Sequence, residues 1–284
     1  MMNQLKTVIL LASLTALLLF VGQLIGGYNG LVVAGVFAVI MNFGSYWFSD
    51  KIVLMMYNAK EVKDTNHKLY SLVKDVSERA NIPVPKVYII PSNILNAFAT
   101  GRNPKHAAVA ATEGILSGLN EHELKGVIAH EIAHVKNRDI LISTIAGTIA
   151  GVISYIATMA QWAAIFGGLG GRNRDNNSNI ISLLLLAIIT PIIATLIQLA
   201  ISRSREYIAD AGGAKILKDS SGLASALEKI ESSVKNHPLI ATPKADATAH
   251  MFIVNPFRSG AFIRMFMTHP QTNLRIKKLK EMRF

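Results

Sequence analysis

Residues 127–139 read VIAHEIAHVKNRD, and the spacing inside that stretch decides the fold. In a helix, His130 and His134 lie four residues apart and stack on one face. Their imidazoles can then grip one tetrahedral metal ion. Glu131, one step round from His130, reaches a water in a remaining position, which is the ligand logic of a metallohydrolase motif.

Outward from the motif, Asn120 followed by Glu123 forms a capping-box start for the helix. Glu121, Glu123, Lys125, Lys136 and Arg138 flank the histidines, so this helix does not lie in hydrocarbon. His134 precedes Ile140 by six residues, about 9 Å of helix, and Ile140 opens a long uncharged stretch. The motif therefore belongs just outside a membrane.

Composition agrees. Hydrophobic residues make up 51% of the 284-residue chain and mean hydropathy is +0.35, yet the formal net charge is +11. No charge occurs from Thr7 to Ser49, from Ile140 to Gly171 or from Asn176 to Ser202. These stretches predict four transmembrane helices: 7–26 and 31–48 around a turn at Gly26–Gly30, then 140–166 and 180–201, the last kinked at Pro191. The amino-terminal run is expected to be a retained anchor, because a second span follows at once and no small-x-small cleavage site precedes it. Residues outside the loops 27–30 and 167–179 hold 27 of the 29 basic side chains, which places the bulk of the chain in the cytoplasm. Topology and anionic lipid account for the basic surplus. Nucleic-acid binding is excluded for want of a basic patch interleaved with aromatics. The absence of cysteine removes thiol chemistry and Cys-ligated zinc.

The expected fold is an α-helical membrane protein with an α+β, gluzincin-like zincin catalytic domain, four transmembrane helices and a small antiparallel sheet. Residues 1–48 form a two-span anchor and 49–139 the first catalytic part, with the motif helix. Residues 140–201 form a transmembrane hairpin with the exposed loop 167–179, and 202–284 form the second catalytic part. After a juxtamembrane link at 50–64, a helix over 65–80 presents Leu69, Leu72, Val73 and Val76. Strands at 87–90, 96–100 and 106–112 alternate with turns, which predicts a meander. Helices follow near 222–235, with Leu223, Leu227 and Ile230 inward, and over 274–282. A region with Pro238, Pro243 and Pro256 lies between them.

Catalytic zinc takes three protein ligands and keeps one open position. A third histidine six residues beyond His134 is ruled out, because Ile140 stands there. The other common source is a carboxylate on a later helix. Glu206 fits, with Asp210 four residues on and on the same face. Glu206 binds the metal in this reading, and Asp210 accepts the outer N–H of one ligand histidine.

NAFATG (96–101), AHEIAH (129–134) with VKNRD after it, SREYIAD (204–210), and THP (268–270) with Arg275-Ile276 resemble the HtpX family. These are bacterial membrane metalloproteases related to the CAAX prenyl endopeptidases, and the resemblance covers nearly the whole chain. It implies a multi-pass zinc endopeptidase of the bacterial cytoplasmic (inner) membrane, with one Zn2+ per chain and its active site facing the cytoplasm. The expected partners are the lipid bilayer and misfolded or damaged membrane proteins as substrates, with functional overlap with other membrane quality-control proteases. The resemblance also implies His130, His134 and Glu206 as ligands and Glu131 as catalytic acid/base.

Oxyanion stabilisation needs a further donor, and His269, Arg275, Tyr207 and His250 are the candidates. The strand containing Asn96, Ala97, Phe98 and Ala99 is a candidate substrate-binding edge, able to pair with an extended peptide through its backbone; an ordinary strand with Phe98 in the core is the alternative. A non-catalytic membrane holdase or assembly factor retaining a metal fold is the competing function. A transporter lacks the ionisable residues that its spans would need.

Overall fold

Helix α1 (Met2–Met56) turns back on itself at Gly27, whose φ of 55° and ψ of −138° suit a residue without Cβ. Its halves touch: Asn42 Nδ2 donates to Thr15 Oγ1 at 2.8 Å across the turn. The structure is a computed structural model and describes residues 2–142, 145, 203–236, 252–254 and 270–284. Among these, Gly27–Phe48 is long and apolar enough to cross a membrane, and the preceding half holds the shorter apolar run Leu11–Phe20. The expected spans at 140–166 and 180–201, the loop 167–179, the Pro191 kink and Pro238, Pro243 and Pro256 lie outside the described residues.

The link expected at 50–64 is instead helical as far as Met56. Val53 and Leu54 in this last stretch are buried against the sheet. Strand β1 (Lys60–Glu61) follows, then α2 (Lys68–Ala80), capped by the His67 ring on Leu69 N–H. Leu69, Leu72, Val73 and Val76 bury their side chains as their spacing predicts, each stabilising by about 1.5–3 kcal/mol.

Strands β2 (Lys86–Ile90), β3 (Ala97–Gly101) and β4 (Ala107–Thr112) complete the sheet, and a short helix α3 (Glu113–Gly118) follows. Here the expected meander is corrected. The strand order is β1-β2-β4-β3, with β4 parallel to β2 and antiparallel to β3. The reason lies in β4 itself, AAVAAT, whose small side chains are buried along its whole length. A strand buried on both faces belongs at the centre of a sheet. On one face Ala97, Ala99, Val109 and Ala111 meet the main core; on the other Phe98, Ala108 and Ala110 pack with Ile90, Val53 and Leu54.

The motif helix α4 (Glu121–Asn137) opens on the expected capping box, Asn120 with Glu123. It lies among α2, β3, α5 (Arg203–Leu217) and α6 (Ser221–Asn236). Leu223, Leu227 and Ile230 of α6 point inward as expected. Helix α7 (Thr272–Lys280) buries Arg275 and Leu279 and turns Lys277, Lys278 and Lys280 outward.

Gly213 lets α5 lie against α4. A Cβ there would stand 2.8 Å from His130 N and 2.9 Å from Ala129 C, both backbone atoms that cannot yield. Gly213→Ala should therefore force the helices apart and cost about 1–3 kcal/mol, read as a lower Tm.

Candidate active site

Helices α4 and α5 bring three donors together. His130 Nε2 and His134 Nε2 are 3.2 Å apart. Glu206 places Oε2 3.7 Å from the first and Oε1 3.6 Å from the second. The three residues form a group able to hold one metal ion. The i, i+4 spacing on α4 produces the histidine pair, and Gly213 sets how closely Glu206 approaches it.

Behind His130, Asp210 Oδ1 lies 2.9 Å from Nδ1. The ring N–H is not aligned on that oxygen, so the contact is electrostatic rather than a well-formed hydrogen bond. Arg275 grips Asp210 with two bonds, Nε to Oδ2 at 2.8 Å and Nη2 to Oδ1 at 2.7 Å. Its Nη1 donates to the Ile253 carbonyl at 3.0 Å and lies 3.5 Å from Glu206 Oε2. Burial would raise the Asp210 pKa, but Arg275 and His130 outweigh it and hold the carboxyl at about 2.

The sequence reading missed Asp139, whose Oδ2 stands 3.3 Å from His134 Nδ1. Arg138 closes α4 in the left-handed conformation, and the chain folds Asp139 back beneath His134. An NRD triplet at 137–139, separated from His134 by two residues, is its only signal. Burial alone would lower the His134 pKa. Asp139, Glu206 and Glu131 reverse that and push it up to about 9.

Glu131 is buried, and Ala99 N–H donates to its Oε2 at 2.8 Å. Burial raises its pKa, with His130 and His134 opposing the shift. Strand β3 ends the sheet order among the described residues. Since Asn96 O accepts Thr112 N–H, alternate residues Ala97 and Ala99 turn their backbone groups away from β4. The edge is thus formed by the backbones of Ala97 and Ala99. Asn96 and Phe98 depart from the expected role. Asn96 Oδ1 accepts Ile253 N–H at 3.1 Å, and Phe98 is buried on the far face with Tyr57.

Arg275 is likewise corrected as an oxyanion donor, because its guanidinium is engaged behind the site by Asp210 and Ile253. The Tyr207 ring packs under Lys278 Nζ, 3.7 Å from its centroid. His250 and His269 lie outside the described residues.

The donor set fits a divalent cation. A tetrahedral ion about 2.0–2.1 Å from each donor sets donors about 3.3 Å apart, close to the observed separations. The charge balance agrees. Among the described residues, the buried acids Glu131, Asp139, Glu206 and Asp210 are accompanied here by two buried guanidinium groups, Arg205 and Arg275, which leaves a deficit of two positive charges when the acids are ionised and the imidazoles neutral. A proton and the metal compete for His134. Apparent metal affinity should therefore rise by about tenfold per pH unit between about pH 6 and 8, below the His134 pKa, measured by chelator competition.

Comparison with known proteins gives the same reading. Residues 63–283 match the family described as Peptidase family M48. The "Protease HtpX homolog" of Desulforapulum autotrophicum is 52% identical over 279 residues, covering 98% of this chain and 89% of that protein. The one from Syntrophotalea carbinolica is 55% identical over 282 residues, covering 99% of each. That of Thermococcus kodakarensis is 51% identical over 278 residues, covering 98% of this chain and 95% of that protein. The crystal structure of S. mikatae Ste24p shares the fold, with a TM-score of 0.50 and 17% identity. That match covers 98% of this chain and 65% of the other. With a match across most of its length and relatives at about half identity end to end, this chain belongs to peptidase family M48 and is a metallopeptidase of the HtpX type.

Proposed function

We propose that this metallopeptidase is a zinc endopeptidase of the bacterial cytoplasmic membrane, cutting misfolded or damaged membrane proteins on the cytoplasmic side. The observation that carries the zinc reading is the triangle of His130, His134 and Glu206, with its twofold charge deficit. The apolar helix Gly27–Phe48 supports membrane residence. Its exposed aromatics Phe43, Tyr46, Trp47 and Phe48 suit a lipid–water boundary.

When bound, zinc supplies Lewis acidity to the scissile carbonyl and to a water. His130, His134 and Glu206 would hold it. Glu131 is the general base: Ala99 occupies Oε2, leaving Oε1 to take the proton and later return it to the leaving amine. Its raised pKa brings it closer to a working value for that exchange. The backbones of Ala97 and Ala99 align the substrate as an added strand, a mode that favours broad sequence tolerance.

Purified full-length protein should cleave casein or itself, stop with a chelator and resume with added zinc. Chelator-resistant cleavage would overturn the zinc reading. For the edge, Ala97→Pro removes one outward N–H without touching the Ala99–Glu131 bond. It should raise KM severalfold while leaving Tm nearly unchanged; an unchanged KM would refute strand addition. Because the chain has no cysteine, Asn29→Cys and Lys63→Cys report orientation cleanly. An impermeant maleimide should label intact cells only at position 29.

A further inference from the structure

We propose that Asp139 and Arg205, at the two ends of segment 140–202, form a second positioning arm that holds His134 as Asp210 and Arg275 hold His130. The inference rests on the metal-centre reading above and deepens it.

The two histidines are backed alike on one side only. His130 has a carboxylate at Nδ1 locked by a guanidinium with two bonds. His134 also has a carboxylate at Nδ1, 3.3 Å away, delivered by the left-handed turn at Arg138. Asp139 N–H donates to the His134 carbonyl at 3.0 Å, so the residue is fixed to the same turn of helix that it supports. Asp139 is 5% exposed and Arg205 8% exposed.

Among the described residues, Nη1 and Nη2 of Arg205 have no hydrogen-bond partner, an expensive condition for a buried guanidinium. Burial pushes the Arg205 pKa down, and the charges of Asp139 and then Glu206 oppose that shift. The two Nη groups of Arg205 are thus buried donors close enough to Asp139 and Glu206 for their charge to act on them without a direct bond. Arg205 balances one acid that orients His134 and another that belongs to the donor triangle. A carboxylate on the outer nitrogen fixes the tautomer, keeps the Nε2 lone pair facing the other donors and makes it a better ligand.

The test uses the full-length chain in detergent, with Zn2+ affinity from competition against a chromophoric chelator and the visible spectrum of the Co2+ form. Asp139→Ala should weaken Zn2+ binding by about 10–100-fold and shift the Co2+ bands. Asp139→Asn, nearly isosteric and still an acceptor, should lose less. Arg205→Ala should weaken binding by about tenfold, Arg205→Lys should restore most of it, and Arg205→Ala should add little in the Asp139→Asn background. Should the alanine variants not fold, Asp139→Asn and Arg205→Lys carry the test. Wild-type affinity and Co2+ spectrum in Asp139→Asn and Asp139→Ala, or an Arg205→Ala loss that is the same with and without Asp139→Asn, overturns the arm. A wild-type chain that takes up no divalent metal overturns the metal-centre reading and the arm together; a metal-binding wild type with indifferent variants overturns the arm alone.

Discussion

The Glu131→Gln chain is expected to bind one zinc ion per molecule while its kcat/KM falls by about 10²–10⁴-fold, the usual contribution of a general acid–base. Glutamine keeps the shape of the side chain and offers its carbonyl to Ala99 N–H in place of Oε2. What it loses is the capacity to take a proton. The substitution also removes a buried charge that burial already disfavours, so Tm should hold or rise. The combination is diagnostic, because a variant that failed through misfolding would lose metal and Tm together. Cleavage by a homogeneous, zinc-loaded Glu131→Gln chain would rule out the assigned role.

Arg275→Leu should destabilise the fold by about 3–5 kcal/mol, the range for breaking one partner out of a buried ion pair. Its guanidinium is 1% exposed and makes both bonds to Asp210. Removal strands a buried carboxylate beside His130 and frees the Ile253 carbonyl. Denaturant unfolding would measure the loss. The double change Arg275→Leu with Asp210→Asn should recover part of it, since residue 210 then carries no charge to leave unpaired; Glu206 still loses the cation 3.5 Å away. Arg275→Lys should fall between, because an ammonium cannot reproduce the two-pronged geometry. A stability change under about 1 kcal/mol in Arg275→Leu would show that Asp210 is neutralised elsewhere.

Local chemistry was legible in the chain. Asn120 and Glu123 announced the start of α4, the four-residue spacing of Leu69, Val73 and their neighbours announced α2, and the Glu206–Asp210 pair pointed to the two carboxylates that meet the histidines. Each of these depends on residues within one turn or two of each other. The misread features depend on distance or on backbone sign. That β4 enters between β2 and β3 follows from burial on both faces, which turn chemistry does not report. Asp139 reaches His134 only because Arg138 adopts a positive φ, a conformation uncommon outside glycine. Arg275 looked like an oxyanion donor by kind, yet its partner Asp210 stands 65 residues earlier in the chain, and helical periodicity carries no information across that gap. Asn96 was misjudged for the same reason, with its partner Ile253 far downstream.

The late position of Arg275 has a bearing on biogenesis. During translation the imidazoles emerge first, then Glu206 and Asp210, and the cation that neutralises Asp210 leaves the ribosome only afterwards. Until α7 docks, Asp210 lacks the guanidinium that grips it, and the support behind His130 is incomplete. The order of synthesis thus sets the order of assembly, with the clamp on Asp210 closing after both donor helices have been made.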